Sequence, residues 1–365
     1  MATTITLPLF SRLLLSPLLL SPLLLIPALA QTLPPLPEPV SNNPVLATTI
    51  RDKTYIASFS GLGNGKTAAD AHNKGWLLQA GDSSWQKLPN VPSSLGHSNR
   101  LAMTATVLEQ NFYLFGGYSV AKDGTEVTQP DSYRFSVISK NYTKLPDMPV
   151  AVDDSVALSY QNRYIYLVSG WHNDGNVNLV QLFDNFTQKW SQATPFPGTP
   201  VFGHAGTADG NRLLICDGVA TQLDPNGKRS YVATAACYQG DIDSSNARKI
   251  SWKAVSHPTG VARYRQAALP ITVAGERYLA FIGGTTNPYN FSGVGYNGTP
   301  SEPDAAVWLY QPKTQQWRKG KVSSPVMDLR NLLELDGEIY SLGGMAAGQQ
   351  VQSDFIKQQI TLLPD

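Results

Sequence analysis

The chain has 365 residues, and its 28 Lys and Arg residues are nearly balanced by 27 Asp and Glu residues. A formal net charge of +1 provides no basic surface of the kind that binds nucleic acid, so we expect no nucleic-acid partner. The 30 glycines and 26 prolines favour a turn-rich, all-β protein. All-β domains of this length occur as single units.

The first 30 residues have the pattern of an export signal. Arg12 precedes a leucine-rich stretch that ends at Ala28-Leu29-Ala30, which gives a charged region, an apolar region and a small-residue cleavage site in that order. A membrane anchor is the alternative, but three prolines divide the apolar run into pieces too short to span a bilayer. We therefore predict a signal peptide over residues 1–30 and a single exported domain over residues 31–365. That domain is periplasmic in a bacterium and otherwise secreted, and it keeps no stable membrane insertion.

One stretch recurs along the rest of the chain, and residues 104–149 are its clearest copy. Short apolar runs alternate there with polar turns, and the second run stops at Gly116-Gly117. This pattern predicts a four-stranded antiparallel sheet, which needs further copies beside it to bury both of its faces. The predicted strands are Thr104–Leu108, Phe112–Phe115, Ser132–Val137 and Tyr142–Leu145.

The second strand and its glycine stop recur six times, and an aromatic residue follows on the outer strand of most copies. A period of ~50 residues with four strands in each unit indicates a six-bladed β-propeller of the kelch type. The six copies of the second strand are Tyr55–Gly61, Tyr113–Gly117, Ile165–Gly170, Leu213–Gly218, Leu279–Gly284 and Ile339–Gly344. The outer-strand aromatic residues are Trp85, Tyr142, Trp190, Trp252 and Trp317.

The sixth copy is short, because only one strand, near residues 354–360, is predicted after Gly344. At the other end of the chain, Leu33–Val40 (LPPLPEPV) resembles Lys144–Val150 (KLPDMPV), which follows an outer strand. We predict that this N-terminal segment supplies the outer strand of the last blade and so closes the ring. The predicted fold is therefore an all-β, six-bladed kelch-type propeller closed by an N-terminal outer strand.

The two cysteines lie on neighbouring strands of the fourth predicted blade. Cys216 is on the second strand and Cys237 on the expected third strand. Adjacent antiparallel strands can bring two cysteines within bridging range, and an oxidising compartment permits the bond. A disulfide and a pair of buried free thiols are equally compatible with the sequence.

The loops between second and third strands are long and irregular, whereas the turns between first and second strands are short. Functional residues concentrate on loops held by a rigid scaffold, so we predict a site on the long-loop face, at the mouth of the central channel. Amides, arginines, acids and aromatic rings converge there, which suits a small-molecule carbohydrate as partner. The predicted substrate-binding residues are Asn99, Arg100, Trp171, His172, His204, Arg263 and Arg265.

Several of these residues have a structural alternative. Arg100, Asp154 and Arg330 can equally pair with a neighbouring blade, whereas the charge density of residues 263–265 favours a ligand role. Metal ligation by the histidines is the weaker alternative, because they come from different blades without ligand spacing. The loop Asn287–Phe291 is either a lid over the channel or a cap packed on the adjacent blade. Because no phosphate-binding, metallohydrolase or nucleophile motif is present, we predict neither a metal nor a cofactor.

The YLFGG-type second strand, the DSYRF third strand and the W-x-x-L-P-x-x-P outer strand resemble kelch repeats over essentially all of residues 31–365. The exported six-bladed form with an LP-rich N-terminal strand also resembles the sialic acid mutarotases (N-acetylneuraminate epimerases). That resemblance implies cofactor-free interconversion of sugar anomers in the periplasm. It also implies that Asp217 takes the place of the family's catalytic glutamate and that Arg229 takes the place of its arginine.

Two hypotheses follow. In the first, the protein is a mutarotase for N-acetylneuraminate or a related sugar, with Asp217, Arg229 and Asp154 as candidate catalytic residues. Such a reaction needs a base at the anomeric hydroxyl and an acid at the ring oxygen, and Arg265 or Arg229 holds a substrate carboxylate. In the second, it is a non-catalytic kelch module that binds glycans or a protein partner through the same face. A homodimer is left open in both.

Overall fold

Short strands that end at glycine build six antiparallel sheets, one for each predicted repeat. The computed structural model describes residues 33–223, 225–273 and 275–364. Blade one contains Val45–Ile50, Lys53–Leu62, Ala71–Gln79 and Gln86–Leu88. Blade two contains Thr104–Leu108, Asn111–Phe115, Ser132–Ser136 and Asn141–Lys144. Blade three contains Val156–Tyr160, Tyr164–Val168, Val180–Asp184 and Lys189–Gln192. Blade four contains Ala205–Asp209, Arg212–Cys216, Cys237–Asp243 and Asn246–Val255. Blade five contains Ala267–Val273, Glu276–Ile282, Ala306–Gln311 and Gln316–Val322. Blade six contains Leu333–Leu335, Glu338–Leu342 and Phe355–Lys357. The predicted all-β, six-bladed kelch-type propeller is confirmed.

The long connections between second and third strands carry small hairpins of their own. In the described part of the chain, the helical segments are two short 3₁₀ turns, Ala68–Asp70 and Ala347–Gln349. The hairpins extend from four blades, and they build one face of the propeller. They are Tyr118–Val120 with Glu126–Thr128, Trp171–His172 with Gly175–Asn176, Val219–Leu223 with Arg229–Ala233, and Met345–Ala346 with Gln350–Val351.

The N-terminal segment closes the ring, as predicted. The amide of Leu36 donates to the carbonyl of Ser353 at 2.8 Å, and the amide of Val40 donates to the carbonyl of Gln352 at 2.9 Å. The contact consists of these separate hydrogen bonds, because residues 33–40 form no regular strand and bend at Pro37 and Glu38. The four prolines among these eight residues explain this, since proline has no N–H to donate to a ladder.

The C-terminus differs from the prediction of a single strand near residues 354–360. Phe355–Lys357 is the third strand of blade six, and a second strand, Ile360–Leu362, pairs antiparallel with the outer strand of blade five. Blade five therefore has five strands and blade six has three. Without this pairing, the outer strand of blade five would leave backbone groups unpaired at the edge of the sheet. Such an edge readily accepts another strand.

Packing between blades provides the core, and blade four also carries a covalent link. Cys216 and Cys237 face each other across the second and third strands and form a disulfide. Of the two alternatives that the sequence left open, the structure therefore has the disulfide. Both cysteines are buried.

The residues from Leu33 onward form one compact unit. The predicted signal peptide, residues 1–30, lies outside the described residues. Within those that the structure describes, no helix is long and apolar enough to cross a membrane.

Candidate functional site

A ring of six residues surrounds the central axis, one at the point where the chain enters each blade. All six have left-handed backbone conformations, with φ between 49° and 62°. Backbone hydrogen bonds link successive members. The amide of Gly203 donates to the backbone carbonyl of Asp154 at 2.9 Å, and the amide of Arg265 donates to the backbone carbonyl of Gly203 at 2.8 Å. We call this ring the axial belt. Its members are Asn42, Ala102, Asp154, Gly203, Arg265 and Asp328.

The polar side chains of the belt meet at the axis in a buried charge network. Asp154 Oδ2 accepts from Arg265 Nη2 at 2.7 Å and from Nε at 3.2 Å, and Arg330 Nη1 bonds the other carboxylate oxygen. Arg265 Nη1 also donates to Asp328 Oδ1 at 3.1 Å, which Asn42 Nδ2 contacts at 2.9 Å. Two carboxylates therefore balance two guanidinium groups, as buried charges require.

These ion pairs decide the protonation of Asp154. Burial by itself raises the pKa of its carboxyl, but Arg265 and Arg330 outweigh burial and lower that pKa to about 2. Asp154 is therefore a carboxylate at neutral pH. Because its oxygens are held by guanidinium groups, it is a weak base.

The neighbouring carboxyl of Asp153 behaves in the opposite way. Burial raises its pKa well above the ordinary value, and the charge of Asp154 raises it further. Thr128 Oγ1 donates to its Oδ2 at 2.7 Å, and the side chain lies at the base of a cleft. Adjacent carboxyls whose pKa values are driven apart are the arrangement that divides acid and base roles in enzymes.

The cleft opens on the long-loop face, directly above the axial belt. Its walls come mainly from the second-to-third connections of blades two to five. Its volume is about 50 Å³, far below the ~300 Å³ at which ligand sites begin. A sugar-sized ligand can enter only if part of the wall moves. The lining residues are Tyr118, Glu126, Asp153, Asp154, Trp171, Phe202, Tyr231, Arg265, Asn290 and Tyr296.

The loop of blade five forms the outer wall of the cleft. Tyr289, which is fully buried, packs edge-on against Tyr264 with ring centroids 5.2 Å apart. Further along the same loop, Tyr296 stacks on Tyr231 at 4.1 Å with an interplanar angle of 19°. Within the predicted loop Asn287–Phe291, Tyr289 is buried against the blade, whereas Asn290 lines the cleft. Tyr296, which also lines the cleft, lies outside that predicted segment.

Three of the predicted residues, Asp154, Trp171 and Arg265, line the cleft. Arg229 lies beside it, with its guanidinium 5.0 Å from the centre of the Trp171 ring. Arg229 Nη2 donates to the backbone carbonyl of Asp174 at 3.1 Å. Arg229 is exposed and bonds Asp174 through one nitrogen, so toward the described residues it can offer further donors at the rim.

The two predicted histidines bond to the backbone. His204 Nε2 lies 2.9 Å from the carbonyl of Val168, and burial lowers the pKa of its imidazole to about 4. It lines the channel beneath the belt rather than the cleft. His172 Nδ1 contacts the carbonyl of Ala151 at 2.7 Å. Among the described residues, no group of three or more His, Cys, Asp and Glu side chains is arranged to hold a metal.

The remaining predicted binding residues make contacts within their own blades. Arg100 is paired with buried Asp131 at 2.8 Å. The Arg263 guanidinium lies 3.7 Å from the centre of the Trp308 ring, and burial lowers its pKa to about 10. Asn99 bonds the backbone of the loop hairpin in blade two. None of the three lines the cleft, so their role in binding remains a prediction.

Asp217 occupies the first position of the glycine doublet of blade four. Its φ of 68° matches the 58° of Gly116, the equivalent residue of blade two. Its carboxylate bonds His257 Nε2 at 2.7 Å, Gln266 Nε2 at 2.7 Å and the amide of Arg263 at 3.0 Å. Burial raises the pKa of this carboxyl, and His257 opposes the rise. Asp217 thus joins blades four and five away from the cleft, and its catalytic role remains a prediction.

Glu126, Phe202 and Tyr231 were not among the sequence candidates. Glu126 reaches the surface, and partial burial of its carboxyl raises its pKa. Phe202 could have been found, because it precedes the belt residue of blade four just as Asp153 precedes that of blade three. Glu126 and Tyr231 lie on irregular loop hairpins, whose position depends on the neighbouring blades.

Comparisons with known proteins agree with this fold. No protein-family model matches the chain. Kelch domain-containing protein 3 is 25% identical in Rattus norvegicus and 24% identical in Homo sapiens, over 273 residues in each case. These matches cover 69% of this chain, which spans 65% of the length of those relatives. Kelch-like protein 15 of Gallus gallus is 28% identical over 109 residues, or 30% of this chain and 22% of the relative.

A solved structure described as "Structure of YjhT" superposes with a TM-score of 0.67 at 18% identity. The superposition covers 90% of this chain and 99% of that chain. At this level of identity the likeness concerns the fold, and it supports the kelch-type propeller.

Proposed function

We propose that the protein binds a small sugar in the axial cleft and speeds the interconversion of its anomers without a cofactor. The observation that carries this proposal is the placement of Asp153. In each blade, one residue comes directly before the axial-belt residue in the sequence. Its backbone forms a β-bridge with the first residue after the glycine that ends the second strand. In blade order these residues are Ser41, Leu101, Asp153, Phe202, Tyr264 and Met327.

Asp153 is the acid in a position that four other blades fill with apolar or aromatic side chains. Those side chains pack together in one hydrophobic cluster. A carboxyl is costly there, because burial penalises its charged form. Proteins break such a local packing rule chiefly at functional sites, so we interpret Asp153 as a residue placed for chemistry.

The cleft offers an acid and a base of the kind that mutarotation requires. In the proposed step, Glu126 accepts the proton of the anomeric hydroxyl as the bond between the anomeric carbon and the ring oxygen breaks. Asp153, kept protonated by burial and by the charge of Asp154, gives its proton to the ring oxygen. Closure on the other face of the carbonyl carbon reverses both transfers, so no proton is gained or lost.

The remaining walls suit the binding of a sugar ring. Trp171, Phe202 and Tyr231 present aromatic surface for its C–H faces. Arg265 is occupied by Asp154 and Asp328, so the guanidinium available to a substrate carboxylate is that of Arg229. The resemblance to sialic acid mutarotases independently favours an acidic sugar.

Exchange spectroscopy tests the proposal. Freshly dissolved α-N-acetylneuraminate and a panel of neutral reducing sugars are followed by proton NMR with and without the protein. We expect equilibration faster than the spontaneous rate for the acidic sugar, lost in Asp153→Asn and reduced in Glu126→Gln. Glu109→Gln, in a short turn on the opposite face, is the matched control. The absence of acceleration for every sugar would overturn the catalytic proposal.

A second candidate, a non-catalytic binding module, is favoured by exposed apolar side chains on the second-to-third connections of blades four and five. Leu223 is 68% exposed and Val232 39% exposed on one loop, and Val294 is 43% exposed on another. Exposed apolar side chains on loops are a common feature of interaction surfaces, and the curated relatives are kelch proteins. Saturable binding of a glycan or protein at this face, without faster anomer exchange, would establish this alternative.

A further inference from the structure

The interface between blades five and six differs from the other five interfaces. At each of those five, aromatic or imidazole rings of adjacent blades are in contact. Between blades five and six, the described residues form no ring contact, and the core there is almost entirely aliphatic. The contacts at the other interfaces are Trp85–Phe355, Phe59–Phe112, Phe115–Phe183, Phe196–Tyr238 and His257–Trp308.

The outer-strand aromatic residues show what blade six lacks. In blades one to five, the N–H or O–H of this ring donates to a carbonyl just beyond the outer strand of the preceding blade. Among the described residues, neither 356–364 nor the N-terminal segment 33–40 contains an aromatic side chain, so blade six has no equivalent in that part of the chain. The five hydrogen bonds are Trp85 to Pro34, Tyr142 to Pro89, Trp190 to Pro146, Trp252 to Thr194 and Trp317 to Ser256.

A second ring position is also altered in blade six. In blade three, Phe183 stands opposite Ile165 on the second strand. In blade six, the residue opposite Ile339 is Gln358. The backbone N–H of Gln358 donates to the backbone carbonyl of Ile339 at 2.8 Å. Gln358 is 5% exposed, and its side-chain oxygen has no hydrogen-bond partner among the described residues. A polar amide thus occupies a place where blade three has an aromatic ring.

A cavity of about 440 Å³ lies at this interface. That volume falls within the range of small-molecule sites, ~300–1,000 Å³. Its walls are aliphatic, with Gln358 among them. The aliphatic residues are Ile271, Val273, Leu309, Ile339, Ile360 and Leu362.

The rim of the cavity is acidic. Glu334 and Glu338 both line it, together with Lys357. Lys357 Nζ pairs with Glu338 at 2.9 Å. Within the part of the chain that the structure describes, Glu334 has no ion-pair partner, so one carboxylate at the rim is uncompensated. A ligand with an apolar body and a positive group therefore matches both surfaces.

We propose that this cavity is a binding site for a small aromatic molecule that carries an ammonium group. The aromatic ring takes the place of the missing outer-strand ring between blades five and six, and the ammonium group lies near Glu334. The site is separate from the axial cleft and does not depend on the function proposed above. Tryptamine is a suitable probe, with indole and indole-3-acetate as its neutral and anionic counterparts.

NMR of the intact wild-type protein tests the location. The isoleucine methyl groups are labelled, and tryptamine is titrated into the protein. Ring-current shifts are expected at Ile271, Ile339 and Ile360, whereas Ile165 and Ile215, in other blades, stay unchanged. Saturable shifts confined to other methyl groups, or none at concentrations where tryptamine remains soluble, would overturn the proposal.

Variants test the two parts of the interaction separately. Gln358→Phe and Ile360→Trp each place an aromatic ring in the cavity where the ring of the ligand is proposed to lie, and each is expected to block tryptamine and indole binding while circular dichroism stays native. Two variants are used because either can be judged if the other does not fold. Glu334→Gln is expected to weaken the binding of tryptamine by about two- to five-fold, which is the effect of losing an exposed ion pair. The binding of indole, which has no ammonium group, is expected to stay unchanged. Unchanged affinity in a folded, cavity-filled variant would contradict the assignment.

Discussion

Two buried acids in adjacent parts of the molecule, Asp153 and Asp217, differ in how their carboxyl groups are used. Asp217 bonds His257, Gln266 and a backbone amide, so both oxygens hold blades four and five together. Asp153 has a hydrogen bond from Thr128 and lies at the base of the axial cleft. Burial raises the pKa of both.

This difference shows that burial and a raised pKa do not by themselves identify a catalytic acid. A carboxyl whose oxygens are fully bonded to protein groups contributes to stability, whereas one that retains bonding capacity toward a cleft can act on a ligand. The resemblance to sialic acid mutarotases favours Asp217, and the geometry favours Asp153. The two assignments predict opposite results for matched variants.

The largest expected effect is the loss of anomer exchange in Asp153→Asn. An amide N–H is far too weak an acid to protonate the ring oxygen, so the rate should fall by ~10²–10⁴, the usual contribution of general acid catalysis. Stability should not fall, because the raised pKa favours the neutral carboxyl in the folded state and the amide of asparagine is likewise neutral and of similar size. Exchange NMR gives the rate, and a thermal melt gives the stability. A rate close to that of the wild type would remove Asp153 from the mechanism.

The next largest effect is on stability. In Asp154→Ala, Arg265 and Arg330 remain buried without the carboxylate that they share. Removing one member of a buried ion pair costs about 3–5 kcal/mol. Urea denaturation measures the change, with Asp123→Ala in an exposed loop as the control. A free energy of unfolding within about 1 kcal/mol of the wild type would show that the axial network is not needed for the fold.

A smaller loss is expected for Asp217→Asn. The amide can keep an oxygen in place of Oδ2 for the Arg263 amide and Gln266 Nε2, but it then presents N–H groups to His257 Nε2 in place of Oδ1. Unsatisfied buried hydrogen-bonding groups cost about 1–3 kcal/mol. The free energy of unfolding should fall by that amount, while the exchange rate per folded molecule stays at the wild-type level. An unaltered melting curve would contradict the bracing role.

The smallest effect concerns pH. The pKa of Asp154 is lowered from 3.8 to about 2 by its arginines, so its stabilising contribution is present above the ordinary pKa and is lost as the pH falls toward 2. A shift of this size corresponds to about 2 kcal/mol. The contribution of Asp153 to stability changes with pH in the opposite direction, because its raised pKa makes protonation favourable in the folded state. Compared with wild type, Asp154→Asn should lose less stability between pH 4 and pH 2, as measured by urea denaturation.

The sequence was sufficient for the blades because their signals are local. Each YLFGG-type run carries its own strand pattern and its own glycine stop, so the second strands and their order could be predicted. The LP-rich segment at Leu33–Val40 likewise located the closure of the ring. The second C-terminal strand, Ile360–Leu362, was missed because it completes blade five, a pairing that depends on an open edge more than 35 residues earlier in the chain.

The site was predicted less completely, because its geometry depends on several blades at once. The charge network of Asp154, Arg265 and Arg330 requires the axial belt to be closed. Asp217 looked like a catalytic acid in sequence, although it takes the position of a doublet glycine. Glu126 and Tyr231 reach the cleft only because irregular hairpins fold over it, and no periodic pattern indicates such a placement.

The most direct test of this account compares Asp153→Asn with Asp217→Asn in the same NMR exchange experiment, with each rate corrected for the folded fraction. We expect acceleration of α-N-acetylneuraminate equilibration to be lost in Asp153→Asn and retained in Asp217→Asn. The reverse result, with acceleration lost in a folded Asp217→Asn variant and retained in Asp153→Asn, would contradict it and would move the catalytic site to the joint between blades four and five.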